Sequence, residues 1–173
     1  TTARWTPKLV TVLRAGYGAA ELRADALAGL TVAIVALPLS MALGIARAAV
    51  DDAWTYAQER IQFGKPICAI QSIRHMLADA KTKLEACRLM LWNAARLADA
   101  GLPCAAETSM AKLFIAEAGV EIALTCQRVM GAYAMSADYD IERNVRDLLG
   151  MPIVGGSSNM QRNNLAALWK LPG

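Results

Sequence analysis

A chain of 173 residues is long enough for one domain and a little more. Hydrophobic residues make up 55 % and charged residues 19 %, which is too charged for a polytopic membrane protein. The net charge of +3 is spread along the chain, so no basic run points to nucleic acid, and the excess reads as solvated helix faces.

In chain order, Arg4, Lys8, Arg14 and Arg23 precede an uncharged stretch from Ala26 to Ala46, bounded by Asp25 and Arg47. About 20 apolar residues cross the hydrocarbon core of a bilayer as a helix, so this stretch is long enough to span. Pro38 would kink it, which membrane helices tolerate. The leading cations would keep the N-terminus cytoplasmic. On hydropathy alone, 26–46 is either a membrane contact or an apolar helix packed on the rest. The residues from Pro7 to Ala46 resemble the N-terminus of SulP-type anion permeases, over about residues 5–46. That family needs many spans built as inverted repeats. A single span therefore implies ancestry, not transport.

From Arg47 the pattern becomes amphipathic. Arg47 to Ile61 holds good helix formers, with no breaker until Gly64 and Pro66. Both sides of residue 46 are helical in character, which predicts one long or kinked helix over about 26–62. Ile70, Ile73, Leu77, Ala80, Leu84, Cys87, Leu91, Ala94 and Ala98 alternate spacings of three and four, one face of a helix over 67–100. Lys81 and Glu85 are placed to pair on its polar side. Gly101 and Pro103 end it. A third helix runs from about Ala105 to Gly131, with Met110, Leu113, Val120 and Leu124 as core positions. Ile141 to Leu149 is a shorter helix, on which Arg143, Arg146 and Asp147 look like ion-pair residues. Gly150, Pro152, Gly155 and Gly156 form a loop, and Ser157 and Ser158 cap a last helix to about Lys170. No alternating strand pattern occurs, so the fold class is all-α: long helices with short loops, a helical bundle.

Cys68, Cys87, Cys104 and Cys126 lie far apart without a C-x-x-C pair, and His75 is the only histidine. No metal site is expected. Scattered thiols at helical positions suggest core packing and a reducing compartment.

The stretch DDAWTYAQERIQFGKPICAIQSIRHMLADAKTKLEACRLM, followed by AAETSMAKLFIAEAG and IERNVRDLLGMPIVGGSSNMQRNNLA, resembles the C-terminal four-helix domain of acyl-CoA dehydrogenases, over about residues 45–172. The resemblance implies a division into a permease-like segment, 1–46, and this helical domain, 47–173. The fold it implies is a four-helix up-and-down bundle with an extra apolar N-terminal helix. It also implies a cytoplasmic homo-oligomer that oxidises an acyl-CoA thioester: a carboxylate removes the α proton and FAD takes the β hydride.

Site roles carry over by position. Arg60 and Phe63 match contacts to the FAD of a neighbouring subunit; a guanidinium binds diphosphate oxygens bidentately, and the ring packs on the cofactor. Gln62 lies between them and is placed to add a hydrogen bond. Gln71 matches a glutamine that reaches the neighbour's cofactor. Ser157 and Asn159 match loop positions that contact the FAD of the same subunit. Gly131 matches the first glycine of a G-G-Y-G turn near the adenosine, here Gly131-Ala132-Tyr133-Ala134, where positive φ at the alanines would be strained. His75 carries no expected role.

No catalytic residue is assigned. Many relatives place the catalytic glutamate in the last loop, as Y-E-G-T-N; the match here is Val154-Gly155-Gly156-Ser157, which puts glycine at that position. Others supply the base from the helix that opens the domain, and here no Asp or Glu occurs between Asp25 and Asp51. Leu43-Gly44-Ile45-Ala46 fits either parent sequence, so the join falls near residue 44. The expectation is a dehydrogenase fragment that is inactive alone. The alternatives are a membrane-anchored helical interaction module or the remnant of an anion permease fusion.

Overall fold

In the computed structural model the described residues are 19–172, with side chains described from Pro38 onward. The chain divides into a unit over Thr1–Ala36 and a unit over Leu37–Gly173. Five helices are described: α1 Ala19–Glu59, α2 Gln71–Asp99, α3 Ala105–Met130, α4 Ile141–Leu149 and α5 Ser158–Leu168. The structure is mostly helical, as the periodicity predicts.

The long first helix ends at Glu59 and holds Pro38 inside it. From Leu39 onward it buries Leu39, Ala42, Ala46, Ala49, Val50, Ala53 and Ala57, a stripe at helical spacing. Five of these seven are alanine, and small side chains at a contact shorten the distance between helix axes. Among the described residues no helix is long and apolar enough to cross a membrane. Most of the apolar segment 26–46, namely 26–37, lies outside the described side chains.

One correction concerns 60–70, where no strand is expected and the helix of 67–100 is extended too far forward. Ile61–Gln62 pairs antiparallel with Lys65–Pro66, a 3-10 turn covers Ile67–Ala69, and α2 starts only at Gln71. A two-residue strand is too short to show alternation, so periodicity could not announce it.

On α2, Leu77, Ala80, Leu84, Cys87 and Ala94 are buried, whereas Ala98 is exposed because the packed face ends before the last turn. Glu85 does not pair with Lys81 but takes both a 2.8 Å bond from Arg88 Nε and a second bond from Arg88 Nη2. A fork geometry outcompetes a single ammonium for a carboxylate. Lys81 lies over the Trp54 ring instead, 5.9 Å from its centroid.

Helix α3 packs against α2 on one side and against α4 and α5 on others. It therefore buries Ala111, Ile115, Ala116, Ala118, Ile122, Ala123, Cys126, Val129 and Met130. The four positions expected to form its core, Met110, Leu113, Val120 and Leu124, are only half-buried. A helix surrounded on several sides has no single stripe to find. At Gly119 an added Cβ would meet Leu148 Cδ2 at 3.2 Å, so α4 approaches α3 over a residue without a side chain. Helix α4 buries Ile141, Asn144, Val145 and Leu148. Arg143 pairs with Asp140 and Arg146 with Glu142, and Asp147 takes part in neither pair.

Burial raises the Cys87 thiol to about 11 and, with the Asp52 charge adding to it, the Cys126 thiol to about 12. Cys68 and Cys104 are half-buried. A maleimide at neutral pH is therefore expected to label Cys68 and Cys104 first, with Cys87 and Cys126 reacting only on unfolding; mass spectrometry of the labelled peptides checks this. The folded thiols lie above the ordinary 9.0. Ionisation in the unfolded chain therefore lowers stability as pH rises from about 9 towards 11 and 12, with no effect below. Ile122→Ala, at a fully buried position, is expected to cost about 2–5 kcal/mol in urea unfolding.

Candidate functional site

The short hairpin turns through Phe63 and Gly64, with φ of 56° and 77°. Two successive positive φ values are what a two-residue hairpin loop requires, and such loops strongly prefer Asn-Gly or Gly-Gly. Gly64 meets that demand freely, whereas an aromatic L-residue in the left-handed region is strained by about 1–2 kcal/mol. The ladder is closed by the Ile67 N–H, which donates to the Arg60 carbonyl at 2.9 Å. Pro66 has no N–H to contribute and stands on the two-stranded edge. The outcome is a Phe63 ring 89 % exposed at the tip of a fixed turn.

Arg60 stands half-buried just past the end of α1, its guanidinium 5.1 Å from the centroid of the Tyr133 ring. It makes no side-chain hydrogen bond among the described residues. A guanidinium carries five N–H donors; stacking on a ring holds its plane without using them. Tyr133 is fixed in turn by Tyr56 and Tyr139, with ring centroids 5.9–6.2 Å apart. This three-tyrosine support was not legible in the sequence, because its members lie on α1, in the turn after α3 and just before α4.

Arg60, Gln62, Phe63 and Gly131 all line one open hollow of about 350 Å³, together with Tyr56, Tyr133 and the apolar Ile67, Ile70 and Ile73. Gln71, exposed as the first residue of α2, does not line it. Gly131 adopts φ 62° and ψ −134° at the end of α3, a conformation essentially reserved for glycine. The strain expected at the two alanines does not arise. Ala132 and Ala134 lie in a 3-10 turn over Gly131–Met135 with ordinary negative φ, and Ala134 is fully buried.

Ser157 and Asn159 belong to a second place, at the start of α5. Ser157 Oγ accepts from the Met160 N–H at 3.3 Å, a capping bond. Asn159 Oδ1 accepts from Arg162 Nη1 at 3.1 Å, and Arg162 Nη2 bonds Glu117 of α3 at 2.6 Å. In the preceding loop, Gly155 and Gly156 have φ of 68° and 92°. A Cβ on Gly156 would meet Gln161 Nε2 at 2.8 Å, and one on Gly155 would touch Pro38 Cγ at 3.5 Å. Glycine at 155 therefore fits the backbone angle, at which a glutamate would be strained. His75 is exposed on α2.

The profile of the family described as "Acyl-CoA dehydrogenase, C-terminal domain" matches residues 33–168. This chain belongs to that family. Its match begins before residue 46 and so takes in part of the apolar stretch 26–46. An acyl-CoA dehydrogenase of Bacillus subtilis is 42 % identical over 137 residues, 79 % of this chain and 36 % of its own length. The solved butyryl-CoA dehydrogenase of Megasphaera elsdenii superposes with a TM-score of 0.75 at 32 % identity, covering 77 % of this chain and 35 % of that one. The structure of PigA with FAD and proline superposes with a TM-score of 0.75 at 30 % identity, covering 78 % and 35 %. The chain thus spans about a third of the length of the curated relatives it matches.

The hairpin geometry makes a stability prediction. Phe63→Asn replaces a strained, exposed ring with a residue that tolerates positive φ, and is expected to stabilise the domain by about 1 kcal/mol. A higher urea midpoint at unchanged slope is the expected reading; a lower one would show that the ring supports the fold.

Proposed function

We propose that this chain is the C-terminal helical domain of an FAD-dependent acyl-CoA dehydrogenase, and that the hollow beside the hairpin is its contact surface for the flavin cofactor of a neighbouring subunit. The observation that carries this reading is the pairing of an Arg60 guanidinium, ring-stacked but with its donors unspent, with a strained Phe63 offered wholly to its surroundings. Backbone strain and an exposed aromatic side chain both weaken an isolated domain, so their coincidence supports a ligand-facing role.

The residues fit the group. Arg60 is suited to diphosphate oxygens, Phe63 to an aromatic face, and Gln62 and Gln71 to polar edges. Gly131 leaves room for close approach, and Ser157 and Asn159 would face the flavin of the same subunit. When bound, FAD would supply the redox capacity for α,β-dehydrogenation of an acyl-CoA thioester. The chain's own residues hold and orient the cofactor; none of them is assigned as the base, since position 155 is glycine. This division of labour implies a homo-oligomer, with the helices from residue 37 onward forming the four-helix up-and-down bundle of the family and 47–173 lying within it. Residues from about 5 to 46 are proposed to share ancestry with SulP-type permeases, which implies no transport.

The isolated chain is expected to purify without stoichiometric flavin and to show no acyl-CoA oxidation with an artificial electron acceptor. Excess FAD should still shift the amide resonances of residues 60–64 and 131–133, and Arg60→Ala should abolish most of that shift while leaving the urea midpoint nearly unchanged. Turnover by the isolated chain, or shifts elsewhere only, would contradict the assignment.

A further inference from the structure

Lys112 lies near the start of α3, with 2 % of its surface exposed. Among the described residues its Nζ has one partner, the Met151 carbonyl at 2.8 Å. Burial lowers the pKa of this amine, so the site is costly for a cation. An uncharged side chain of the same length would sit there more cheaply, which calls for a reason.

Among the described residues every other hydrogen bond of the loop 150–156 is local. The Met151 N–H donates to Leu148, those of Ile153 and Val154 to Gly150, and that of Ser158 to Pro152. Gln161 Nε2 reaches Gly156 at 3.5 Å. Lys112–Met151 is the only hydrogen bond among the described residues that ties this loop to α3. The methylene stem also runs under the far end of the loop, since a Cβ on Gly155 would lie 3.8 Å from Lys112 Cε. Met151 comes two residues after the end of α4 at Leu149. The C-terminal end of a helix carries partial negative charge, which favours a nearby cation over a neutral donor.

We propose that Lys112 is a positioning residue: its buried ammonium, donating to the Met151 carbonyl, clamps the Gly150–Gly156 loop onto α3 and so sets where Ser157 and Asn159 stand. The part of this inference that concerns the cofactor rests on the reading of α5's start as flavin-facing. The clamp itself rests on geometry alone. A loop with two glycines of positive φ has little intrinsic order, and the Lys112 bond fixes it to the most buried helix of the domain.

The test uses the full chain. Lys112→Met keeps the stem and removes the donor, and amide hydrogen exchange at Ile153, Val154 and Ser158 is expected to accelerate about ten-fold or more. Exchange in the α2–α3 core should change far less. Lys112→Gln, which restores a donor, should recover part of the protection. In the unaltered chain the Lys112 ammonium should give a slowly exchanging proton signal, whether or not the variants fold. Unchanged loop exchange, equal acceleration throughout the domain, or a fast-exchanging ammonium would each overturn the clamp. Addition of excess FAD to the unaltered chain separates the two claims. Shifts at Ser157 and Asn159 that diminish in Lys112→Met support both. Shifts absent in the unaltered chain remove the flavin reading while the exchange data still judge the clamp.

Discussion

The burial of α3 is the constraint on which the other elements depend. Its faces are divided among α2, α4 and α5, and its residues from Ala111 to Met130 supply much of the core. Burial of this kind contributes about 25 cal/mol per Å² of apolar surface removed from water. At Gly119 α4 comes so near that Leu148 Cδ2 would have to shift by a few tenths of an ångström to admit a Cβ. Once α3 is enclosed, the position of everything that leaves its two ends is settled. Gly131 and the three-tyrosine support follow from one end. At the other, near its start, Lys112 reaches across to the loop that precedes α5.

The two candidate contact regions are built on opposite principles. At the hairpin the support is aromatic and apolar: Tyr56, Tyr133 and Tyr139 brace one another, and Arg60 lies on the brace with its donors free. At the start of α5 the support is polar, with a serine cap, an asparagine-arginine-glutamate chain and a lysine under the loop. Both use positive φ to reach their shape, at Phe63 and Gly64 in one and at Gly155 and Gly156 in the other. Only Phe63 adopts it with a bulky side chain, and this places strain where the domain offers an aromatic surface outward.

The charged residues show how local pattern and tertiary structure share decisions. Arg146 and Glu142 pair at a spacing of four along α4, a contact helix geometry alone dictates. Glu85 had two suitors on its own helix, and the guanidinium at three residues displaced the ammonium at four. Lys81 then lies on the Trp54 ring of a different helix, which no reading of α2 by itself contains.

The sequence by itself determined the helices, their order and most of their ends to within a few residues; the first helix, expected from about residue 26, starts at Ala19. Periodicity of apolar side chains, glycine and proline at the breaks and a serine cap on α5 are all local, and local physics suffices for them. The motif around Arg60 and Phe63 likewise named the family from residues alone. Only the tertiary structure decided which residues of α3 are buried, because a helix enclosed from several directions has lost its single apolar stripe. It alone also revealed the hairpin at 61–66, the tyrosines gathered from three distant stretches and Lys112 beneath the loop. Each of these depends on atoms far apart in the chain being brought within a few ångströms, and spacing along a sequence carries no record of that.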